Sequence, residues 1–348
     1  MSTTLDAPRS TPTAPPLAHR LRRALIGRDA AIIALLVVVY LFGYTQVPYF
    51  AGNLTISLLL LDVFPILLMA LPMTLVIITG EIDLSVASIL GLSSVTVGVL
   101  FQAGWSIPAA AVVALVLGLL CGALNGFLIT VVGLPSLAVT VGTLALYRGI
   151  AVGLLGTTAV TGFPTPWTSF VGSLIGGPGG AIPVVMVLFV VLAIVFVVVL
   201  HFTPVGRAIF AIGLNDEAAV FSGVPAGRVK FALYLGTGVV SALAGVYWTL
   251  HFNSARGDNA LGLELSVIAA VLVGGVSIFG GRGALPGVIA AVLVIGSLRA
   301  LLRLAGVTDD VINVATGVLL IVSVILPRLL AGGRSLRTRA AMRARQRA

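Results

Sequence analysis

Residues 201–230 read HFTPVGRAIFAIGLNDEAAVFSGVPAGRVK, the one long polar interruption near the middle of a chain that is otherwise mostly lipid-soluble. Similar amounts of apolar sequence lie on either side of it. A short helix is legible inside it. Asn215 is placed to cap that helix by accepting a backbone N–H, Asp216 and Glu217 put negative charge on its positive end, and Gly223 can close it. A short, polar, capped helix between two membrane-spanning halves suits a surface that docks on something soluble, although a solvated loop satisfies the same capping chemistry.

The flanks carry the composition. The 348 residues are 59% hydrophobic and 9% charged, against roughly 25% charged in a typical soluble domain, and the mean hydropathy is +1.18. No soluble core buries that much apolar surface, so the chain reads as an all-α polytopic membrane protein with one continuous membrane domain. Its 41 glycines suit close helix–helix approach in lipid, where small residues rather than hydrophobicity hold helices together.

Charge and cysteine usage exclude several chemistries. All the basic residues are Arg except Lys230, which sits between Val229 and Phe231, so there is no G-x-x-x-x-G-K-[ST] phosphate loop. Cys121 is the single cysteine, and His19, His201 and His251 are scattered, which leaves neither a disulfide framework nor metal-ligand spacing. The net charge of +9 does not point to nucleic acid, because its residues cluster beside apolar runs. Arg20, Arg22, Arg23 and Arg28 precede the first run, and Arg328, Arg334, Arg337, Arg339, Arg343, Arg345 and Arg347 lie at or beyond the end of the last. Such clusters orient spans and contact anionic lipid headgroups. Residues 1–28 read as a disordered cytoplasmic tail, not as a cleavable signal, and 331–348 as a basic cytoplasmic tail.

With about 20 apolar residues needed per span, the sequence predicts ten: roughly 29–47, 54–79, 85–103, 107–131, 136–156, 181–201, 230–250, 265–280, 284–304 and 311–330. The run at 54–79 carries Asp62, Pro65 and Pro72, and only GGRG separates 265–280 from 284–304, so a tight turn or a broken helix is expected there. Arg-rich termini place both ends in the cytoplasm, which an even number of spans satisfies. The 202–229 loop is then cytoplasmic, in agreement with Arg207, Arg228 and Lys230, and the loops at 157–180 and 251–264 face outward.

The two halves, 29–201 and 230–330, read as weak copies of each other. Asp83-Leu84-Ser85-Val86 opens one span and Glu264-Leu265-Ser266-Val267 another; Pro108 pairs with Pro286, Gly122 with Gly296, Gly133 with Gly306 and Gly142 with Gly317. The odd number of spans between the copies makes this an inverted-topology repeat of the kind found in transporters.

Ionisable groups near a membrane interior are functional candidates by default. Glu81 and Asp83 flank a Gly-led break in which Asp83 and Ser85 can satisfy freed N–H groups as the cap of the next helix. Glu81 is left to pair with an Arg or to face an aqueous path. Asn125, Arg148, Glu264 and Ser266 complete the candidates for a translocation path, and Arg148 needs a carboxylate or a wet face. No nucleophile, metal ligand or histidine accompanies the carboxylates, so an enzyme reading finds no support. Trp105, Trp167 and Trp248 fall at predicted span ends, where interfacial anchoring is usual; sugar stacking is a minority reading for Trp248.

From about 30 to 330, the sequence resembles the integral-membrane permeases of bacterial ABC importers for ribose, xylose, arabinose, rhamnose and related sugars. Gly80-Glu81-Ile82-Asp83-Leu84-Ser85-Val86 resembles that family's G-E-I-D-L-S-V-G signature, with Ala87 in place of the final Gly. The segment from Thr203 to Val224, carrying Gly206, Arg207, Gly213, Asn215, Asp216, Glu217, Ala218, Ala219, Ser222 and Gly223, is similar to the part that docks on the ATPase. Gly274-Gly275-Val276-Ser277-Ile278-Phe279-Gly280-Gly281 with Gly283 completes the match. The resemblance implies a non-enzymatic inner-membrane subunit that translocates a monosaccharide. It would hold no cofactor of its own, with ATP and Mg bound by a separate ATP-binding subunit. Further partners would be a second permease copy or paralogue, an extracytoplasmic sugar-binding protein and membrane lipids, with no nucleic acid. The competing expectation is a self-contained, ion-coupled secondary transporter, to which an inverted repeat and intramembrane carboxylates are equally suited.

Overall fold

The computed structural model describes residues 28–308, 310–312, 314, 317 and 318. Apolar runs became helices almost throughout: α1 (Arg28–Gln46), α2 (Asn53–Ile78), α3 (Val86–Gln102), α4 (Ile107–Thr130), α5 (Ser136–Leu155), α6 (Thr165–Gly172), α7 (Val185–Phe202), α8 (Pro204–Leu214), α9 (Asp216–Phe221), α10 (Ala226–His251), α11 (Leu263–Val273) and α12 (Leu285–Leu304). Among the described residues, α2, α4, α5, α7, α10 and α12 are long and apolar enough to cross a membrane; α3, α8, α11 and most of α1 are shorter apolar helices. The expected span at 311–330 lies almost wholly outside the described residues, as do the tails at 1–27 and 331–348.

Helix α2 is the axis of the bundle. Every residue from Val63 to Ile78 is buried, because α10, α12, α11 and α7 all pack on it. It remains one helix through Pro65 and Pro72. Pro65 has no N–H to offer the carbonyl of Leu61, and Tyr247 Oη on α10 donates to that carbonyl at 2.7 Å instead. A neighbouring side chain thus satisfies the backbone group freed by the proline, as lipid requires.

The largest helix contact, α4 on α10, is built on small residues. Gly118, Gly122 and Gly126 recur at four-residue intervals along one face of α4. A Cβ on Gly122 would meet the carbonyl oxygen of Tyr234, and one on Gly238 would meet that of Gly118. The backbones therefore touch, and packing rather than hydrophobicity holds the pair. On the lipid side, α7 leaves Val187, Val190, Val191, Ile194 and Val195 exposed.

One expectation needs correction, and the structure adds three features. The span predicted at 265–280 ends at Val273, because Gly274 and Gly275 stop it and Gly275 takes a φ of 95°. Its 11 residues rise about 16 Å, roughly half of a bilayer core, and 274–284 runs on as irregular backbone. The segment 251–264 folds back on the bundle. Its Ala255 packs on Gly98, and Asn259 Nδ2 donates to Ser94 Oγ at 3.0 Å, so it re-enters the bundle along α3 before α11 begins. Within this all-α fold, Val160–Thr161 and Ser254–Ala255 form a two-residue antiparallel pair, steadied by Phe163 N donating to Asn253 Oδ1 at 2.8 Å. Lastly, 157–180 contains the short helix α6, with Trp167 in its first turn.

Candidate coupling site

Two consecutive short helices occupy the polar interruption. Thr203 opens α8: its hydroxyl accepts from Gly206 N at 3.3 Å, and Pro204 follows at the first helical position. Gly206 approaches α7 so closely that a Cβ there would meet the carbonyl oxygen of Leu200. Asn215 is extended and caps α9 by accepting from Ala218 N at 2.8 Å, with Asp216 and Glu217 in the first turn. Ser222 Oγ donates to the Ala218 carbonyl at 2.8 Å, and Gly223, at φ 85°, ends the helix. The Asn215 cap, the acidic first turn and the close at Gly223 are what the sequence predicted; α8 before them was not foreseen.

The surroundings were not legible. Leu214, Val220 and Phe221 are 71%, 55% and 91% exposed, and Arg207, Glu217 and Ala218 are exposed around them, while Ala219 is buried. The aromatic ring is bared at the end of a helix whose first turn is acidic, which makes this a candidate interaction surface. Phe221 inside the otherwise small and polar run of 215–223 was the available signal.

Behind that surface, three chain breaks meet backbone to backbone. A Cβ on Gly213 would meet Ile78 O at the end of α2 and the Gly281 nitrogen. Gly281 N itself donates to Ile78 O at 2.8 Å. A Cβ on Gly280 would meet Gly213 O, Gly80 N and Ile78 O. The end of α8 therefore rests on both irregular segments, 79–85 and 274–284. A side-chain tie runs parallel to this contact. Lys230 Nζ is 2.8 Å from Glu81 Oε1 and 2.8 Å from Asp216 Oδ2. Glu81 pairs with the lone lysine rather than with an arginine.

The remaining candidates separate into distinct places. Asp83, wholly buried, accepts from Ser85 N at 3.0 Å, from Ser85 Oγ at 2.6 Å and from Thr237 Oγ1 at 2.8 Å. Asn125 Nδ2 donates to Ser85 Oγ at 2.8 Å and Tyr147 Oη to Asn125 Oδ1 at 3.3 Å. This network ties α4, α5 and α10 to the break. The carboxylate does take a freed N–H, but Ser85 makes no side-chain cap of its own, because its hydroxyl is engaged with Asp83 and Asn125. Arg148 clamps the re-entrant segment: it donates to the carbonyls of Gly257 at 2.9 Å, Asn259 at 2.6 Å and Ala87 at 3.2 Å, and Glu264 and Asp258 are near enough to act on its charge. Arg256 forks onto Asp258 at 2.9 Å through both Nε and Nη2 and holds that carboxyl below the usual carboxylate range. Ser266 lies apart from all of these, on the wall of a cavity.

The family model described as branched-chain amino acid transport system / permease component matches residues 55–324. Among curated proteins, the autoinducer 2 import system permease protein LsrD of Escherichia coli (strain SMS-3-5 / SECEC), of Escherichia coli O157:H7 and of Shigella flexneri is in each case 38% identical over 313 residues, covering 87% of this chain and 92% of the relative. No solved structure matches it.

Proposed function

We infer the function from one premise: the chain belongs to the branched-chain amino acid transport system / permease component family, and is a multi-pass permease of an ABC importer for a sugar-type substrate. Beyond that, we propose that it translocates a small monosaccharide or a signalling furanose across the inner membrane. The family description names branched-chain amino acids, whereas the relatives are named for autoinducer 2. The likeness to these relatives, which covers 92% of their length, favours the latter class.

A separate subunit supplies ATP hydrolysis, with ATP and Mg bound there and none in this chain. A second permease copy or paralogue and an extracytoplasmic binding protein complete the assembly, and both termini lie in the cytoplasm. The observation that carries this reading is the junction behind α9. The ATP-binding subunit grips Leu214, Val220 and Phe221; when it closes on ATP, α8 and α9 move. That displacement reaches the membrane through the Gly213–Ile78–Gly281 backbone contact and through Lys230, and reorients the broken segments at 79–85 and 274–284 between outward and inward access.

The test is to purify the tagged chain from native membranes and identify what accompanies it. Recovery of an ATP-binding subunit at about one copy per permease, lost in Phe221→Ala without loss of membrane insertion, is expected, since truncating an interface anchor typically costs 2 kcal/mol or more, about thirtyfold in affinity. A wild-type chain that purifies alone and still carries sugar down a proton or sodium gradient would overturn it.

A further inference from the structure

The cavity holding Ser266 lies between α2, α10, α11 and α12 and has a volume of about 540 Å³, within the range of small-molecule sites. Its wall carries six groups of interest: Thr55, Asp62, Trp248, Phe252, Ser266 and Arg303. Asp62 Oδ2 accepts from Arg303 Nη1 at 2.9 Å. The carboxyl is 45% exposed and the guanidinium 53%. Asp62 is nine residues into α2, about 13 Å along its axis. A charged pair that bare, on a helix otherwise buried from Val63 to Ile78, calls for a polar surrounding, and both groups line this cavity.

We propose that this cavity is a vestibule that binds a small polyhydroxylated sugar ring. Three features of its wall suit that ligand class. The indole of Trp248 and the ring of Phe252, 4.6 Å apart and tilted by 47°, offer apolar faces to the C–H side of a sugar. The Asp62 carboxylate accepts from vicinal hydroxyls, and the Arg303 guanidinium and the Ser266 hydroxyl donate to ring and hydroxyl oxygens. An aliphatic remainder of the wall excludes water from the sugar's edges. The cavity lies where α10 ends and α2 begins, at the opposite end of α2 from the Gly213–Ile78 contact. It therefore lies on the face away from α9. This placement rests on the importer reading, in which that face receives sugar from the binding protein.

The test uses the full chain in native membranes. Cys121, the single cysteine, is replaced by alanine, and Ser266→Cys and Ala300→Cys are made separately, both positions lining the cavity; two positions keep a local packing defect from deciding the result. A charged methanethiosulfonate reagent is expected to modify both. One of D-ribose, D-xylose, L-arabinose, L-rhamnose or autoinducer 2 is expected to slow the reaction about tenfold at about ten times its Kd. Adding Trp248→Ala or Asp62→Asn is expected to remove that protection. Absence of modification at both positions would mean a closed or lipid-filled space and would overturn the proposal. Modification that none of the five probes slows would overturn it as well. Co-purification of the ATP-binding subunit is scored in parallel. Protection without that subunit upholds the vestibule and removes the importer reading; the subunit without protection does the reverse.

Discussion

Lys230 is the residue on which the coupling argument turns. Its side chain is 12% exposed and joins Glu81, at 18%, to Asp216, at 50%. The two pairs are not equivalent. A half-exposed partner is screened, and such pairs contribute about 0–1 kcal/mol, whereas Glu81 would keep most of its burial after losing its cation and suffer the penalty of an unpaired charge. Lys230→Met and Glu81→Gln are each expected to destabilise the purified protein and to lower uptake. The double variant is expected to be less impaired than the sum, with a coupling of about 0.5–3 kcal/mol in a thermal-unfolding cycle. Asp216→Asn should be milder than Glu81→Gln. Strict additivity of the two main substitutions would show that the tie carries nothing. Asp83 makes a useful contrast: three donors hold it in place, which makes it a brace between helices.

At the scale of the element, the device is a helix end resting on two broken segments, and two glycines that look alike in sequence differ sharply. A Cβ on Gly213 would collide with main-chain atoms of Ile78 and Gly281, which have no rotamer to yield. Gly213→Ala is therefore expected to cost about 1–3 kcal/mol as overpacking and to abolish uptake. Gly223 has open space about its missing Cβ and only a φ of 85° to defend. Gly223→Ala is expected to cost about 1–2 kcal/mol, and Gly223→Asn less, because Asn tolerates that backbone region. Thermal unfolding and uptake of the three variants check the order; a silent Gly213→Ala would remove the contact from the mechanism. The same elements show what the sequence could tell. The caps at Asn215 and Gly223 were legible because capping is decided within a few residues. The end of α11 was not, because the apolar composition runs on from Val273 through Val276 and Ile278 while the backbone has already turned at Gly275. Nor were the partners of Arg148 and Lys230 legible. Gly257 and Glu81, the distant partners of each, lie 109 and 149 residues away, and one chain read alone pairs nothing over that distance.

Taken whole, the molecule has two ends, and the proposal needs them on opposite sides of the bilayer. Helix α5 gauges their separation. Near its first residue, Ser136 Oγ accepts from Ile82 N at 3.3 Å beside the signature break. Twelve residues on, about 18 Å along the axis, Arg148 holds Asn259, just before α11 and Glu264. The two acidic Leu-Ser-Val tetrads, each at the opening of a helix, thus lie beside opposite ends of α5. If both termini are cytoplasmic, the exposed Glu217 on α9 faces the cytoplasm and the exposed Thr157 after α5 faces outward. Single cysteines at these positions, in a chain carrying Cys121→Ala, decide it. A membrane-impermeant maleimide added to intact cells is expected to label Thr157→Cys at once and Glu217→Cys only after the membrane is opened. The reverse pattern would put α9 out of reach of any cytoplasmic ATPase and take the importer mechanism with it, whereas the expected one leaves the vestibule facing the side from which a binding protein arrives.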